Sequence, residues 1–267
     1  MIRIFCVILT LLPASAFCAR VYDVGAVALR AGILGFDVKE FDRQGKRLVH
    51  ESDPLYGVDI ALGLRRRQFG VKLDAAYYAG DVDYEGQTQA GTPISSSTDE
   101  RLVDVSVTGV YQLASVPAVS VYAGPGYRYW RREIQSVGAI AGLDETYRWW
   151  KLQAGMNIGW MRAKNHWVLD GRVIRVLSPG VDVDLGNRFD TAGLNLGDRW
   201  GWRVGGRWIR MLSPRLAVTF DFFYERQRLG KSGTQTLRRN GSPVGSIFQP
   251  RIEMTNSGIL VGLTQSW

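Results

Sequence analysis

Residues 146–162 read TYRWWKLQAGMNIGWMR, and the alternation within them decides the fold. Trp150, Leu152, Ala154, Met156, Ile158 and Trp160 share one face of an extended strand. Lys151, Gln153, Gly155, Asn157 and Gly159 share the other. The apolar face spans 11 residues and carries Trp at each end. A tilted strand needs about 9–11 residues to cross a bilayer, and barrel strands place aromatics at both interfaces. A strand of a soluble sandwich has no reason to end its apolar face in Trp on both sides.

The same period of two recurs along the chain. Val58, Ile60, Leu62 and Leu64 alternate with Asp59, Ala61, Gly63 and Arg65, and Val103, Val105, Val107 and Tyr111 with Asp104, Ser106, Thr108 and Gln112. Val71, Leu73, Ala75 and Tyr77 do so in the third segment, and Phe220, Phe222 and Tyr224 in the ninth. Counting gives ten strands, at 22–40, 56–66, 70–83, 100–113, 118–134, 145–161, 167–177, 199–212, 215–228 and 252–267. Short turns at RRQF, ASVP, AKNH and LSP alternate with long polar links at 41–55, 84–99, 135–144, 178–198 and 229–251. The expectation is an all-β, ten-stranded antiparallel transmembrane barrel with periplasmic termini, short periplasmic turns and long extracellular loops.

The opening MIRIFCVILTLLPASAFCAR has a basic residue, an apolar run too short to span a bilayer as a helix, and small residues after it. It reads as a secretory signal over residues 1–19, leaving 20–267 as the barrel domain. Ala16 and Cys18 are each acceptable as the last residue removed, so at most one cysteine survives and no disulfide framework is available. The formal net charge of +8 suits an anionic membrane surface; an exported chain has no nucleic acid to meet. The last residues, GILVGLTQSW, alternate and finish on an aromatic, resembling the carboxy-terminal signal read by the barrel-assembly machinery. A monomer in the outer membrane of a Gram-negative bacterium is expected.

Inward acids at 59, 74, 104, 170, 221 and 225 have Arg128, Arg172, Arg203 and Arg207 as partners across a narrow lumen, which predicts a plugged barrel. If the hairpin around 135–144 pairs so that Tyr129 faces Trp150, Arg131 faces Arg148 just above the aromatic belt. Arg226 and Arg228 likewise continue the outward face beyond Tyr224. These four arginines are candidates to hold lipopolysaccharide phosphates, which a guanidinium grips through two parallel bonds. Tyr127, Tyr129, Trp130, Trp149 and Trp150 read as interfacial aromatics. Asp182 and Asp184 ahead of Gly186 lack the full spacing of a calcium loop, so no metal and no cofactor is expected.

Residues 80–93, GDVDYEGQTQAGTP, set two aspartates where the apolar alternation of the third strand stops. Asp81-Val82-Asp83-Tyr84 resembles the Asp-x-Asp-aromatic element of the omptin family, the ten-stranded outer-membrane proteases with a groove between tall loops. The resemblance implies one carboxylate pair facing an Asp–His pair across the groove, together activating a water. The matching loop here, SPGVDVDLGNRFDTAGLNLGDR at 178–199, offers aspartates but no histidine. The mature chain has only His166, in a short turn, and His50, in the first long link. A protease site would therefore consist of Asp81, Asp83 and His50. Asp81 and Asp83 also keep the outward parity of Val71 to Tyr77, so a bulge near Gly80 is needed to turn them inward. The reading is a structural or surface-binding outer-membrane barrel with a plugged polar lumen. An omptin-like endopeptidase and a narrow pore are the alternatives.

Overall fold

The computed structural model describes residues 24–87 and 91–267; the signal read at 1–19 lies outside them. Its strands are β1 (Val24–Phe41), β2 (Arg47–Arg66), β3 (Phe69–Gln87), β4 (Pro93–Ser115), β5 (Ala118–Ile134), β6 (Leu143–Arg162), β7 (Asn165–Asp184), β8 (Ala192–Asn195), β9 (Trp200–Met211), β10 (Leu216–Leu229), β11 (Gln235–Arg239), β12 (Ser242–Ile247) and β13 (Arg251–Ser266). Ten of them form the wall. β1 pairs with both β2 and β13, β6 pairs with both β5 and β7, and every pairing is antiparallel, so the sheet closes without an edge. The short turns share one end of the barrel with the first and last described residues, where Gly25 and Trp267 are hydrogen-bonded. At the other end β8 edges the top of β7, and β11 and β12 form a separate hairpin. That hairpin turns at Asn240 and Gly241, both at positive φ, and the Asp190 carboxylate accepts both their amides at 2.9 Å.

The wall is taller than the sequence reading. Residues 47–55, 84–87, 93–99 and 178–184, expected as loop, continue the strands, and the β1–β2 connection shrinks to 42–46. The reason is a change of face. On β1, Leu29 and Ile33 point outward, whereas Leu34, Phe36 and Val38 point inward. On β2, Ile60, Val58 and Tyr56 point outward, and Leu55 and Val49 inward. On β6, Trp150, Leu152 and Met156 point outward, and Trp149 and Tyr147 inward. On β13, Ile259 and Val261 point outward, and Met254 and Ile252 inward. Below the flip the apolar side faces out, as lipid requires; above it the apolar side faces in, as water outside requires. The upper wall therefore encloses a hydrophobic core built on Phe36, Leu55, Leu102, Trp130, Trp149 and Phe223. Burying side chains of this size is worth about 1.5–3 kcal/mol each, enough to hold the tall hairpins as wall. Trp130 and Trp149, read above as interfacial, are instead 0% and 1% exposed inside the barrel.

One polar knot is set in that core. Arg132 Nη1 donates to Glu40 Oε1 and to Glu145 Oε2, both at 2.7 Å, and Nη2 lies 3.0 Å from Glu51 Oε1. Glu100 Oε1 is 3.8 Å from Nε, and the guanidinium lies over the Trp130 ring. Trp130 Nε1 donates to Glu100, Thr98 Oγ1 to Glu51 and Tyr147 Oη to Glu145. Four glutamates and one arginine, all buried, cannot all be ionised at a tolerable cost. All four glutamates lie beyond the level at which the outward apolar faces end. Burial, and then the neighbouring Glu51 charge, push the Glu100 carboxyl well above the usual carboxylate range. Burial likewise pushes Glu40 up to about 7 against the attraction of Arg132.

An acid whose folded-state affinity for its proton is raised binds more protons folded than unfolded. Its contribution is therefore complete below about 4.5 and is lost as pH rises through about 7. Glu100→Gln keeps an acceptor for Trp130 and cannot ionise. Its stability relative to the unsubstituted chain should be near parity in mild acid and should become a gain that grows as pH rises. Urea unfolding at a series of pH values checks this; a gain that does not vary with pH contradicts it.

Candidate functional site

β3 carries Asp81 and Asp83 outward. Its register with β4 runs unbroken through Gly80, pairing Gly80 with Glu100, Asp81 with Asp99 and Asp83 with Ser97. No bulge intervenes, so both aspartates are exposed on the outer surface while Val82 between them is 1% exposed in the core. The Asp83 amide donates to the Asp53 carboxylate at 2.9 Å. His50 sits on the outer face of β2, opposite Glu85. Its Nε2 is 2.9 Å from Asp37 Oδ2, and its Nδ1 is 3.9 Å from Glu85 Oε2. Burial disfavours the Asp37 charge, but hydrogen bonds from Lys39 and His50 outweigh it and hold that carboxyl below its usual range. The fold thus brings His50 to Asp37 and Glu85. Asp83 pairs instead with Ser52, one step further along the outer face of the same β2–β3 hairpin.

A groove of the kind the omptin resemblance implies would lie inside the upper wall, and that space is filled by the core of Phe36, Val82, Trp130 and their neighbours. In the loop matching the family's Asp–His loop, Asp182 pairs with Arg148, the Asp184 carboxylate accepts the Gly186 amide, and Asp198 accepts the Ser178 amide. Among the described residues no group of three or more His, Cys, Asp or Glu side chains is placed to hold a metal ion.

The rim arginines all point outward, but the hairpin of β5 and β6 pairs two residues away from the expected register. Tyr129 faces Arg148, Arg131 faces Thr146, and Tyr127 faces Trp150. Residues 135–142 close the hairpin around a Val137–Ile140 bridge, which sets this register, and a slip of two preserves every face. Arg131 pairs with Asp144, Arg148 pairs with Asp182 and lies over the Tyr129 ring. Arg226 and Arg228 share Glu253 with Arg251, whose nitrogen is 3.8 Å from it. Burial raises the cost of the Glu253 charge, yet the Arg226 hydrogen bond and the surrounding guanidinium charges keep it below the usual range. Three guanidinium groups around one carboxylate leave a local positive excess just above the aromatic belt.

Inside the lower barrel the acids and bases meet as the sequence pattern implies. Arg128 donates to Asp104 at 2.6 Å and reaches Glu225 at 2.9 Å, and Arg207 donates to Asp221 at 2.5 Å. Three inward bases join the four arginines expected as partners: Arg30 bridges Asp59 and Asp221, Lys151 holds Asp104, and Lys72 pairs with Asp74 at 2.7 Å. All three show the inward parity of their strands, so parity alone could have found them. The upper core carried a signal too, the switch of apolar parity along single strands. Beneath the core remains a cavity of about 550 Å³ that runs from Leu34, Tyr78, Leu102 and Phe223 down to Gln68, Gln112 and His166 at the short-turn end.

Residues 6–240 match a family model described as outer membrane protein beta-barrel domain. Among solved structures, the outer membrane protease OmpT from Escherichia coli superposes with a TM-score of 0.67 at 12% identity, covering 92% of this chain and 98% of that one. The translocator domain of the autotransporter NalP from Neisseria meningitidis gives a TM-score of 0.42 at 8% identity, over 90% of this chain and 88% of that one. No curated protein matches the sequence. The likeness to OmpT is one of fold, a closed ten-stranded antiparallel barrel. The matched span takes in most of that barrel, and the chain belongs to the outer membrane protein beta-barrel domain family.

Proposed function

We propose that this chain is a monomeric, non-enzymatic barrel of the Gram-negative outer membrane, structural or surface-binding in role, with a sealed interior. It is exported by the signal at 1–19, assembled through its last strand, and oriented with the short turns in the periplasm. The observation that carries the reading is the core above the lumen, where Leu34, Phe36, Leu102, Trp130 and Trp149 each expose 2% or less of their surface. A continuous water path has to pass that layer, and a substrate groove has to displace it. Planar-bilayer recordings of the refolded protein should show no stable conductance, and ion steps that persist across preparations would overturn the seal. A quenched peptide library should survive incubation with the protein in lipopolysaccharide; cleavage that disappears in Asp83→Ala would establish the endopeptidase reading with Asp81, Asp83 and His50.

The outward arginines are proposed as the contacts to lipopolysaccharide. Support is uneven among them. Arg131 and Arg148 each have an acid of their own, whereas Arg226 and Arg228 belong to the group with excess positive charge around Glu253. The Arg226→Gln/Arg228→Gln double variant should lose most of the rise in unfolding temperature that lipopolysaccharide gives the refolded barrel. Arg148→Gln should keep most of it. Equal behaviour of the two would remove the assignment.

A further inference from the structure

The ion pairs of the lower lumen are unevenly shared. Eight Lys or Arg side chains and six Asp or Glu side chains line the cavity, so it carries more positive than negative charge. Among the described residues three of the eight, Arg65, Arg172 and Arg203, have no carboxylate within close hydrogen-bonding range, and two of these stand side by side. Arg172 of β7 and Arg203 of β9 are directly opposed in the sheet and both point inward. Like charges directly opposed on adjacent strands are destabilising unless something lies between them.

Neither guanidinium has a carboxylate within close hydrogen-bonding range. Arg172 Nη1 donates to Gln153 Oε1 at 2.8 Å, but its nearest acid oxygen, Asp170 Oδ1, is 3.6 Å away, and the other oxygen of that carboxylate accepts the Tyr122 hydroxyl. Its Nε is buried without a hydrogen-bond partner among the described residues, as is Gln153 Nε2. Arg203 stacks on the Phe223 ring at 3.5 Å and reaches Glu225 only at 3.8 Å, while Arg128 holds that carboxylate at 2.9 Å. By contrast, Arg30, Arg128, Lys151 and Arg207 are satisfied at 2.5–2.9 Å. Both arginines keep a fifth to a quarter of their side-chain surface open to the cavity, at 19% and 26%.

We propose that Arg172 and Arg203 form a lumenal binding site for a small oxyanion, of the inorganic phosphate or sulfate class, that enters from the short-turn end. The planar forks of two guanidinium groups match the oxygen edges of a tetrahedral anion. The cavity supplies the path, because its lining reaches Gln68, Gln112 and His166 at that end, while Leu34, Tyr78, Leu102 and Phe223 close it above. A bound dianion would remove the repulsion between the opposed arginines and neutralise the excess charge of the lining. The site is separate from the rim arginines, which face the outer surface.

The test is calorimetric titration of inorganic phosphate into the refolded barrel in neutral detergent without lipopolysaccharide. The expected result is saturable binding of one ion per barrel. Arg172→Gln and Arg203→Gln should each weaken it at least tenfold, and Arg226→Gln/Arg228→Gln should leave it unchanged. Arg203→Lys keeps a cation near Phe223 and Glu225 but loses the fork. It guards against a glutamine variant that does not refold, and it should bind several-fold more weakly than the unsubstituted chain. No saturable binding, binding unaffected by the three lumenal substitutions, or binding lost with the rim pair would each overturn the proposal.

Discussion

Each wall residue of this barrel must show one face to the inside and one to whatever surrounds it, and the surroundings change partway up. A closed antiparallel sheet satisfies its backbone groups at every height, so the ladder itself does not distinguish lipid from water. The side chains do. On β2, β6 and β10 the outward apolar run stops at an aromatic, Tyr56, Trp150 and Tyr224, and on β1, β2, β6 and β13 the next apolar residues point inward. This change of parity on continuous strands marks the boundary of the membrane belt. It also turns the upper third of the molecule into a water-exposed barrel with a core of its own. The tall hairpins and the hydrophobic core above the lumen follow from it.

Charge is arranged differently in the two parts. In the lower lumen most acids and bases are shared across the barrel at close range, as buried charges must be. In the upper core Arg132 and four glutamates collect in one knot, where burial favours the protonated forms of Glu40 and Glu100. On the outer rim the arginines are paired but accessible, and the group around Glu253 keeps an excess. The same side-chain types therefore act as interior cement, as a buried knot and as an outward-facing rim, according to height and face.

The likeness to an outer membrane protease is one of barrel fold. The two aspartates that resemble the omptin element follow the uninterrupted pleat of β3 outward, because nothing at Gly80 shifts the register. His50 is drawn to Asp37 on the outside of β1 and β2. An inward catalytic constellation would need a bulge and an empty groove; this chain has Val82 and Trp130 in that space.

The number of strands, their antiparallel order, the alternation of short and long connections, and the pairing of acids and bases in the lumen were legible in the sequence. Each of them depends on a period of two that is local to the strand. The switch of apolar parity at Leu34 or Trp149 was equally present in the sequence, but it reads as noise until the outer surroundings are known to change. Three features belong to tertiary structure alone: the register of β5 on β6, the meeting of four glutamates from β1, β2, β4 and β6 on one arginine, and the opposition of Arg172 and Arg203. They depend on where separate strands stand relative to one another around a closed ring. A slip of two residues leaves every face unchanged and so leaves no trace in the alternation, yet it decides which charges meet.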